Sequence, residues 1–323
     1  VEYDTNGETV NIVYSGATQG WIPLDDDVVA DATTAPPTQK ALFGYGATGS
    51  YVSMTNLVNS SGVVATDTTG VGTARSGPAA AGYGGDKAIF GYGYTGSNVS
   101  MTNLVNNSGV VATDVTGVGT ARQAATAAGY GTDKAIFGYG YVSGAVSMTN
   151  LVSNSGVVAT DVSGVGTARW SLAAASYGSD KAIFGYGTTS GGYVSITNLV
   201  SSSGVVGSDV TGVGTARRNL SAAGYGGDKA IFGYGTTGST VSLTNLVNSS
   251  GVIATDVTGV GTARENSAAA SYGGDKAIFG YGETGSYLSM TNLVNSSGVV
   301  ATDTTGVGTA RGSLAAAGYS LSA

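Results

Sequence analysis

The side chains best suited to chemistry lie in two short stretches that recur about every 47 residues and change from copy to copy. The surrounding sequence repeats almost unchanged. Aromatic rings give rigid contact area, and amide, guanidinium and carboxylate groups give hydrogen bonds, which is the chemistry of a binding surface. The candidate ligand-binding residues are Tyr51, Tyr94, Asn98, Tyr141, Trp170, Tyr193, Arg218, Asn219, Glu265, Glu283 and Tyr287. The alternative is that these loops vary because nothing restrains them.

Catalysis finds little support in the composition. The chain has no Cys and no His, which excludes thiol nucleophiles, Cys-based metal sites and mechanisms that need an imidazole. It also lacks a Gly-x-Ser-x-Gly elbow and a phosphate-binding loop. A glycosidase needs two carboxylates flanking one bond, and Glu265 and Glu283 are the only non-repeated acids after residue 39. We therefore predict that the protein is not an enzyme and has no cofactor.

Metal binding is not predicted either. Asp25-Asp26-Asp27 lacks the ligand spacing and the glycine of an EF-hand loop, and a solvated acidic face explains it better. One Lys, one Asn, one Asp and one Arg recur once per unit, and we interpret them as ties between units, because buried polar groups need partners. The alternative is a ring of carboxylates that binds a cation in a central channel. The recurring acids are Asp67, Asp114, Asp161, Asp209, Asp256 and Asp303.

Six near-copies of one unit fill the chain from Lys40 onward. Each contains Lys-Ala-Ile/Leu-Phe-Gly-Tyr-Gly, beginning at Lys40, Lys87, Lys134, Lys181, Lys229 and Lys276. A fixed period in this range is typical of repeat architectures, in which each unit buries its apolar face against its neighbours.

Charge is distributed in the same orderly way. Seven of the 20 acidic residues precede Lys40, and the other 13 balance the 13 Lys and Arg, so the net charge of −7 belongs to the first segment. A neutral body with an acidic leader has no electrostatic footprint for nucleic acid. No apolar run approaches the roughly 20 residues of a membrane-spanning helix. The chain starts at Val1 without a Met or a signal-peptide pattern, and we expect it to be part of something longer.

Each unit contains four candidate strands bounded by Gly, Asn or Ser. Around Lys87 these are residues 77–83, 87–93, 99–105 and 110–115. In the second strand, alternation would place Ala88, Phe90 and Tyr92 on one face and Ile89 on the other. Helical periodicity is absent.

Four short strands per 47 residues predict an all-β fold, a six-bladed β-propeller of four-stranded antiparallel blades. The first unit lacks an Ala-rich strand, and the last ends just after an unpaired one, residues 313–319. We expect this C-terminal strand to pair into the first blade and close the ring. Residues 40–323 would form the propeller. Residues 1–39, with a strand at 10–14, an apolar anchor at 20–23 and a linker at 31–39, would be a connector or the end of a preceding module.

The two variable stretches are predicted to emerge on one face of the propeller. In an up-and-down blade, the turns alternate between faces, so the second-to-third and fourth-to-first connections share a face. The variable stretches follow the Gly-Tyr-Gly and the recurring Arg and occupy those two connections. The uniform turns Gly-Gly-Asp and Asn-Ser-Ser-Gly would lie opposite.

The order of features resembles the kelch repeat, in which an Arg is followed by an apolar strand, a turn, an aliphatic-aromatic strand ending in paired glycines, and two more strands. Arg75, Ala79–Tyr83, residues 89–93 and two Val-rich strands follow that order. Gly-Tyr-Gly replaces the glycine pair, and the fourth-strand Trp of kelch is missing. The near-identical units, and the leader Val-Tyr-Ser-Gly-Ala-Thr-Gln-Gly-Trp-Ile-Pro at 13–23, are similar to those in tail-fibre and adhesion proteins of marine bacteriophages.

The resemblance implies a virion protein that adheres to cells. We expect a receptor-binding head on a tail fibre or similar surface appendage, which recognises a cell-surface glycan or an outer-membrane protein through its variable loops. Residues 1–39 would join it to other fibre subunits, and a homo-oligomer is compatible with this role. No nucleic-acid partner and no membrane insertion are expected. The alternative is a structural virion or filament subunit whose loops contact only neighbouring subunits.

Overall fold

The chain divides into two units, Val1–Thr34 and Ala35–Ala323. The computed structural model describes residues 12–14, 21–23 and 39–321. In the first unit, β1 (Ile12–Tyr14) pairs antiparallel with β2 (Trp21–Pro23), so that Tyr14 lies opposite Trp21. Residues 31–38 of the predicted linker and the Asp25–Asp27 run lie outside the described residues.

The second unit is all-β, with no helix among its described residues. The short strands follow the β-branched and aromatic segments, and Gly-rich turns separate them. In chain order the strands are β3 (Lys40–Gly44), β4 (Thr55–Val58), β5 (Ala79–Tyr83), β6 (Lys87–Gly91), β7 (Thr102–Val105), β8 (Thr126–Tyr130), β9 (Lys134–Gly138), β10 (Thr149–Val152), β11 (Ala173–Tyr177), β12 (Lys181–Gly185), β13 (Thr188–Thr189), β14 (Gly192–Tyr193), β15 (Thr197–Val200), β16 (Ser221–Tyr225), β17 (Lys229–Gly233), β18 (Thr244–Val247), β19 (Ala268–Tyr272), β20 (Lys276–Glu283), β21 (Tyr287–Val294) and β22 (Ala315–Tyr319).

Six three-stranded antiparallel sheets organise these strands. The sheets, numbered first to sixth, are β22-β3-β4, β5-β6-β7, β8-β9-β10, β11-β12-β15, β16-β17-β18 and β19-β20-β21. In each, the Ala-rich strand pairs with the Lys-Ala-Ile/Leu-Phe-Gly strand, which pairs with the Thr-Asn-Leu-Val strand. In the first sheet, the Ala-rich strand comes from the other end of the chain, with Ala315 opposite Gly44 and Tyr319 opposite Lys40.

The predicted fourth strand does not form a continuous ladder, so the four-stranded blade is corrected to three strands. The fourth segment of the second sheet touches β7 at two isolated bridges, Val105 to Val111 and Thr102 to Val115. Three residue steps on β7 therefore face four on its partner, which leaves one residue unpaired, as in a β-bulge. Within this gap Asp114 accepts hydrogen bonds from Thr73 of the preceding unit and from Asn103. The fourth segment is therefore not paired with β7 at the point where the Asp114 carboxylate joins two units.

Six apolar clusters fill the spaces between sheets. Five of them join two sheets whose numbers are consecutive. The remaining one joins the sixth sheet to the first, through Ile278 and Tyr281 against Ala41 and Phe43. The Ala-rich strands also contact one another in sequence, and β22 contacts both β19 and β5. Every sheet thus packs on both of its faces.

Close approach of neighbouring sheets depends on the Gly after the recurring Phe. A Cβ atom on Gly185 would lie 2.8 Å from Cζ of Phe232 in the next sheet. Both faces of the second strand are therefore buried, and side-chain alternation does not separate core from solvent.

The face predicted for Tyr92 is wrong. Ala88 and Phe90 pack towards the first sheet, whereas Tyr92 joins Ile89 in the cluster with the third sheet. The cause is the positive φ of 61° at Tyr92, which ends β6 and turns the ring to the other side. The equivalent Tyr of every unit has the same conformation.

A polar tie recurs beside each apolar cluster. Between the sixth and first sheets, Arg311 donates to Oδ1 of Asn56 at 2.7 Å and to the Tyr45 carbonyl at 2.9 Å. Its guanidinium lies 4.3 Å from the centre of the Tyr281 ring and 3.9 Å from Asp67. The six recurring arginines are fully buried. The interpretation of Asn, Asp and Arg as ties between units is confirmed.

The recurring Lys is not such a tie. Nζ of Lys87 lies 2.7 Å from Asp86, its neighbour in the turn between β5 and β6. The Lys87 side chain is 41% exposed, so solvent screens this pair and it contributes little. The Lys prediction is therefore corrected to a contact within one hairpin.

The buried tyrosines of Gly-Tyr-Gly predict a loss of stability at alkaline pH. Burial raises the pKa of Tyr45, Tyr186, Tyr234 and Tyr281 from 10.0 to about 12, although a neighbouring Arg opposes the shift. Because the folded state holds these protons more tightly, their contribution is complete below pH 10 and is lost as the pH rises from about 10 through about 12. Each contributes on the order of 2–3 kcal/mol at most.

The measurement is the unfolding temperature at pH 8, 10 and 11.5, with tyrosinate absorbance recorded in the same samples. We expect a late group of tyrosines to ionise together with unfolding. An unfolding temperature that does not change up to pH 11.5 would contradict the account.

Candidate binding surface

The eleven candidate residues, together called the variable surface, lie in connections that the structure brings together in pairs. The residue after each recurring Arg forms a β-bridge with the residue after the next Gly-Tyr-Gly. The pairs are Gly312–Ala47, Ser76–Tyr94, Gln123–Tyr141, Trp170–Thr188, Arg218–Thr236 and Glu265–Glu283. Five pairs join successive units, and Gly312–Ala47 joins the last unit to the first. The variable residues are thus held at fixed positions by backbone hydrogen bonds, which unrestrained loops would not need.

Aromatic contacts dominate one part of the variable surface. The rings of Tyr51 and Tyr94 meet edge to face with their centres 6.1 Å apart, and those of Tyr141 and Trp170 do so at 5.2 Å. Asn98 donates its amide to the backbone carbonyls of Tyr141 and Val142, at 3.2 and 3.1 Å. Asn98 therefore supports the neighbouring loop, and this use of its amide was not predicted.

Charged and amide groups dominate the other part. The Arg218 guanidinium lies 5.3 Å from the centre of the Tyr193 ring, a cation–π geometry. Asn219 donates to Oε2 of Glu265 at 2.7 Å, and Asn266 donates to Oε1 of Glu283 at 2.6 Å. Each carboxylate thus already has one partner. Tyr287 lies beside Gly312, where a Cβ atom would be 3.4 Å from its ring.

Glu265 and Glu283 are neighbours, as the sequence indicated, but through their backbones. Each donates its N–H to the other's carbonyl, at 3.0 and 2.9 Å, so they form one hydrogen-bonded β-bridge. Their carboxylates are oriented by two different Asn residues, Asn219 and Asn266. The arrangement fixes two acids on the surface and gives each a hydrogen-bond donor.

One depression collects four of the eleven candidates. It has a volume of about 390 Å³ and is lined by Gln123, Ala124, Tyr141, Trp170, Ser171, Arg218 and Asn219. Small-ligand sites usually have volumes of about 300–1,000 Å³. Tyr141, Trp170, Arg218 and Asn219 thus share one concave site. The other seven candidates do not line it, although Asn98 donates to the Tyr141 carbonyl and the Tyr193 ring lies beside Arg218.

Three polar residues of this region were not chosen from the sequence. Gln123 and Ser171 line the depression, and Asn266 holds Glu283. All three lie in the variable stretch that follows the recurring Arg, so the comparison of units contained the signal. The sequence comparison did not show which residues form β-bridges with each other, and it is the bridge between Gln123 and Tyr141 that places Gln123 in the depression.

No protein-family model matches this chain, and no curated protein matches it. The variable surface is therefore interpreted from its own geometry. Among the described residues, no three or more acidic, His or Cys side chains are placed to hold a metal ion. No helix in the described part of the chain could span a membrane. The recurring Asp carboxylates are occupied at the ties, where Thr and Asn side chains donate to them.

Proposed function

We propose that residues 40–323 form a six-bladed β-propeller that acts as a receptor-binding head, at the end of a phage tail fibre or a similar surface appendage. The variable surface binds a cell-surface glycan or an outer-membrane protein, and the N-terminal segment joins the head to its fibre. The protein is not an enzyme.

The ring is supported by counting interfaces. An open row of six sheets has five interfaces, whereas the apolar clusters number six, and the Arg311 tie joins the last unit to the first. In addition, a single small cavity of about 110 Å³ is lined by residues from the Ala-rich segments of all six sheets. A central channel along a ring axis has this lining.

Binding is supported above all by the depression around Trp170. Tyr and Trp side chains are enriched at the energetic centres of interfaces, because they bury large area with few rotatable bonds. Here an aromatic pair lies beside an Arg and two amides in a concavity of ligand size. Several such heads on one appendage would sum weak contacts into strong attachment.

A structural subunit remains the second candidate, and exposed valines favour it. Six equivalent valines in the fourth segments are 60–66% exposed, and they are Val63, Val110, Val157, Val205, Val252 and Val299. Repeated apolar groups of this kind could contact neighbouring subunits. In that role the variable surface would make no contact with a cell.

A double variant, Tyr141→Ala with Trp170→Ala, tests the proposal. We expect binding to a glycan array or to outer-membrane extracts to fall by about 30-fold or more, because a single aromatic side chain at the energetic centre of an interface contributes about 2 kcal/mol or more. The matched control is Val110→Ser with Val157→Ser, which changes two exposed residues away from the variable surface. Equal binding by the double variant and the parent would overturn the proposal. Loss of self-assembly in the valine variant alone would favour the structural subunit.

A further inference from the structure

Arg218 differs from every other arginine of the chain in having no carboxylate partner. The six recurring arginines each lie 3.9–4.0 Å from a recurring Asp. Among the described residues, Arg218 makes no ion pair, its guanidinium donates no hydrogen bond, and its Nε is buried without a partner. Guanidinium groups bind carboxylates through paired N–H groups. Arg218 is therefore free to bind an anion.

The side chains that line the depression indicate which chemical class of anion would bind there. Trp170 and Tyr141 offer apolar ring surface, against which the C–H face of a sugar can pack. Gln123 and Ser171 supply hydrogen-bonding groups. Asn219 donates from its side-chain nitrogen to Glu265, and its side-chain oxygen is left as an acceptor. Hydroxyl groups of a sugar need donors and acceptors of this mixed kind.

Charge limits the ligand to one negative group at this site. Arg218 is the only cation lining the depression, and Glu265 is one hydrogen bond away from its wall, through Asn219. A sulfated polymer or a phosphate dianion would bring more negative charge than one guanidinium neutralises, and Glu265 would repel the excess. A single carboxylate matches the site.

We propose, resting on the receptor-binding role above, that this depression binds an acidic saccharide, one whose sugar ring carries a carboxylate. The carboxylate pairs with Arg218, the ring lies against Trp170, and Gln123 and Asn219 contact the hydroxyls. An acidic peptide is the less suitable ligand, because the bridge partners of this junction already use their backbone hydrogen bonds on each other.

The test is an array of hexuronate and carboxylated nine-carbon saccharides, printed beside the same saccharides with the carboxylate reduced to an alcohol. The best pair is then titrated by calorimetry. We expect the acidic saccharide to bind at least about 10-fold more tightly than its reduced form. The difference in affinity should shrink at higher salt, because salt screens the ion pair between Arg218 and the carboxylate. Arg218→Gln should remove the preference for the acidic form, and Arg218→Lys should keep part of it.

The matched control is Lys134→Gln, which removes the same charge from the exposed first residue of β9 and should leave the preference intact. Trp170→Ala should weaken both members of the pair, and unchanged unfolding temperatures would show that all variants are folded. Equal binding of acidic and reduced forms, or a preference that survives in Arg218→Gln, would overturn this inference and leave the receptor-binding role standing. Binding of acidic peptides but no saccharide would also overturn it. Binding to no saccharide at all would overturn both the inference and a glycan receptor.

Discussion

Replacing Arg217 by Ala is expected to lower the free energy of unfolding by about 3–5 kcal/mol, whereas the same change at Arg218 changes it by less than about 1 kcal/mol. Arg217 is fully buried between the fourth and fifth sheets. It donates to Asn245 at 2.7 Å, to the Tyr234 carbonyl at 2.9 Å and to the Thr215 carbonyl at 3.1 Å. The variant would leave these acceptors unpaired beside a cavity.

Hydrogen bonds rather than ion pairing account for most of this effect. The distance from Arg217 to Asp256 is 3.9 Å, near the limit for an ion pair, and the hydrogen bonds are much shorter. Arg217→Lys keeps the charge but cannot reach all three acceptors, so we expect it to recover only a minor part of the loss. Urea unfolding of the parent and the three variants measures the differences. Similar values for the two alanine variants would contradict the account of the ties.

Removing residues 315–323 is expected to abolish the folded monomer. The deletion takes away β22, which covers β3 along five residue pairs and buries Ala315, Ala317 and Tyr319. The loss is on the order of 5 kcal/mol or more, comparable with the stability of many domains. An uncovered strand edge also recruits other chains, so we expect soluble aggregates.

The matched control is Leu321→Ser, a change at an exposed residue just after β22, which should leave stability unchanged. A synthetic peptide covering residues 313–321 should restore part of the lost structure by adding a strand to the open edge. Thermal unfolding and light scattering provide the readouts. A truncated chain that stays monomeric, with an unchanged unfolding temperature, would show that β22 has no structural role.

Local sequence patterns predicted the first two strands of each unit correctly. The Ala-rich and Lys-Ala-Ile/Leu-Phe-Gly segments form the strands expected of them, and the pairing of residues 315–319 with residues 40–44 follows from the missing strand of the first unit. The prediction of a fourth strand was wrong because Asp114 accepts a hydrogen bond from a neighbouring unit, and no local pattern reveals such a contact. The face of Tyr92 was predicted wrongly because strict alternation requires extended backbone. Tyr92 instead has a positive φ, which is uncommon for an aromatic residue and has no sign in the sequence.

The candidate site was predictable as a set of residues but not as a pocket. Comparison of the six units located the variable stretches, and the structure joins them in pairs. Which residues share a concavity depends on how successive units are offset, and this brings Trp170 beside Tyr141 and near Arg218. The free guanidinium of Arg218 could be anticipated, since it is the one Arg outside the recurring pattern.

The central claim is that the last unit joins the first in a closed ring, and cysteine cross-linking tests it most directly. The chain has no Cys, so an Ala47→Cys, Gly312→Cys pair has no background. These residues exchange backbone hydrogen bonds at 2.9 and 3.1 Å, and such pairs have Cα atoms about 5.5 Å apart, within disulfide range. The control is Ser76→Cys with Tyr94→Cys, the equivalent bridge between neighbouring units. We predict that both pairs oxidise within one chain, in the monomer and at similar rates. Cross-links only between chains, or none at 47 and 312 while the control pair forms, would contradict the ring.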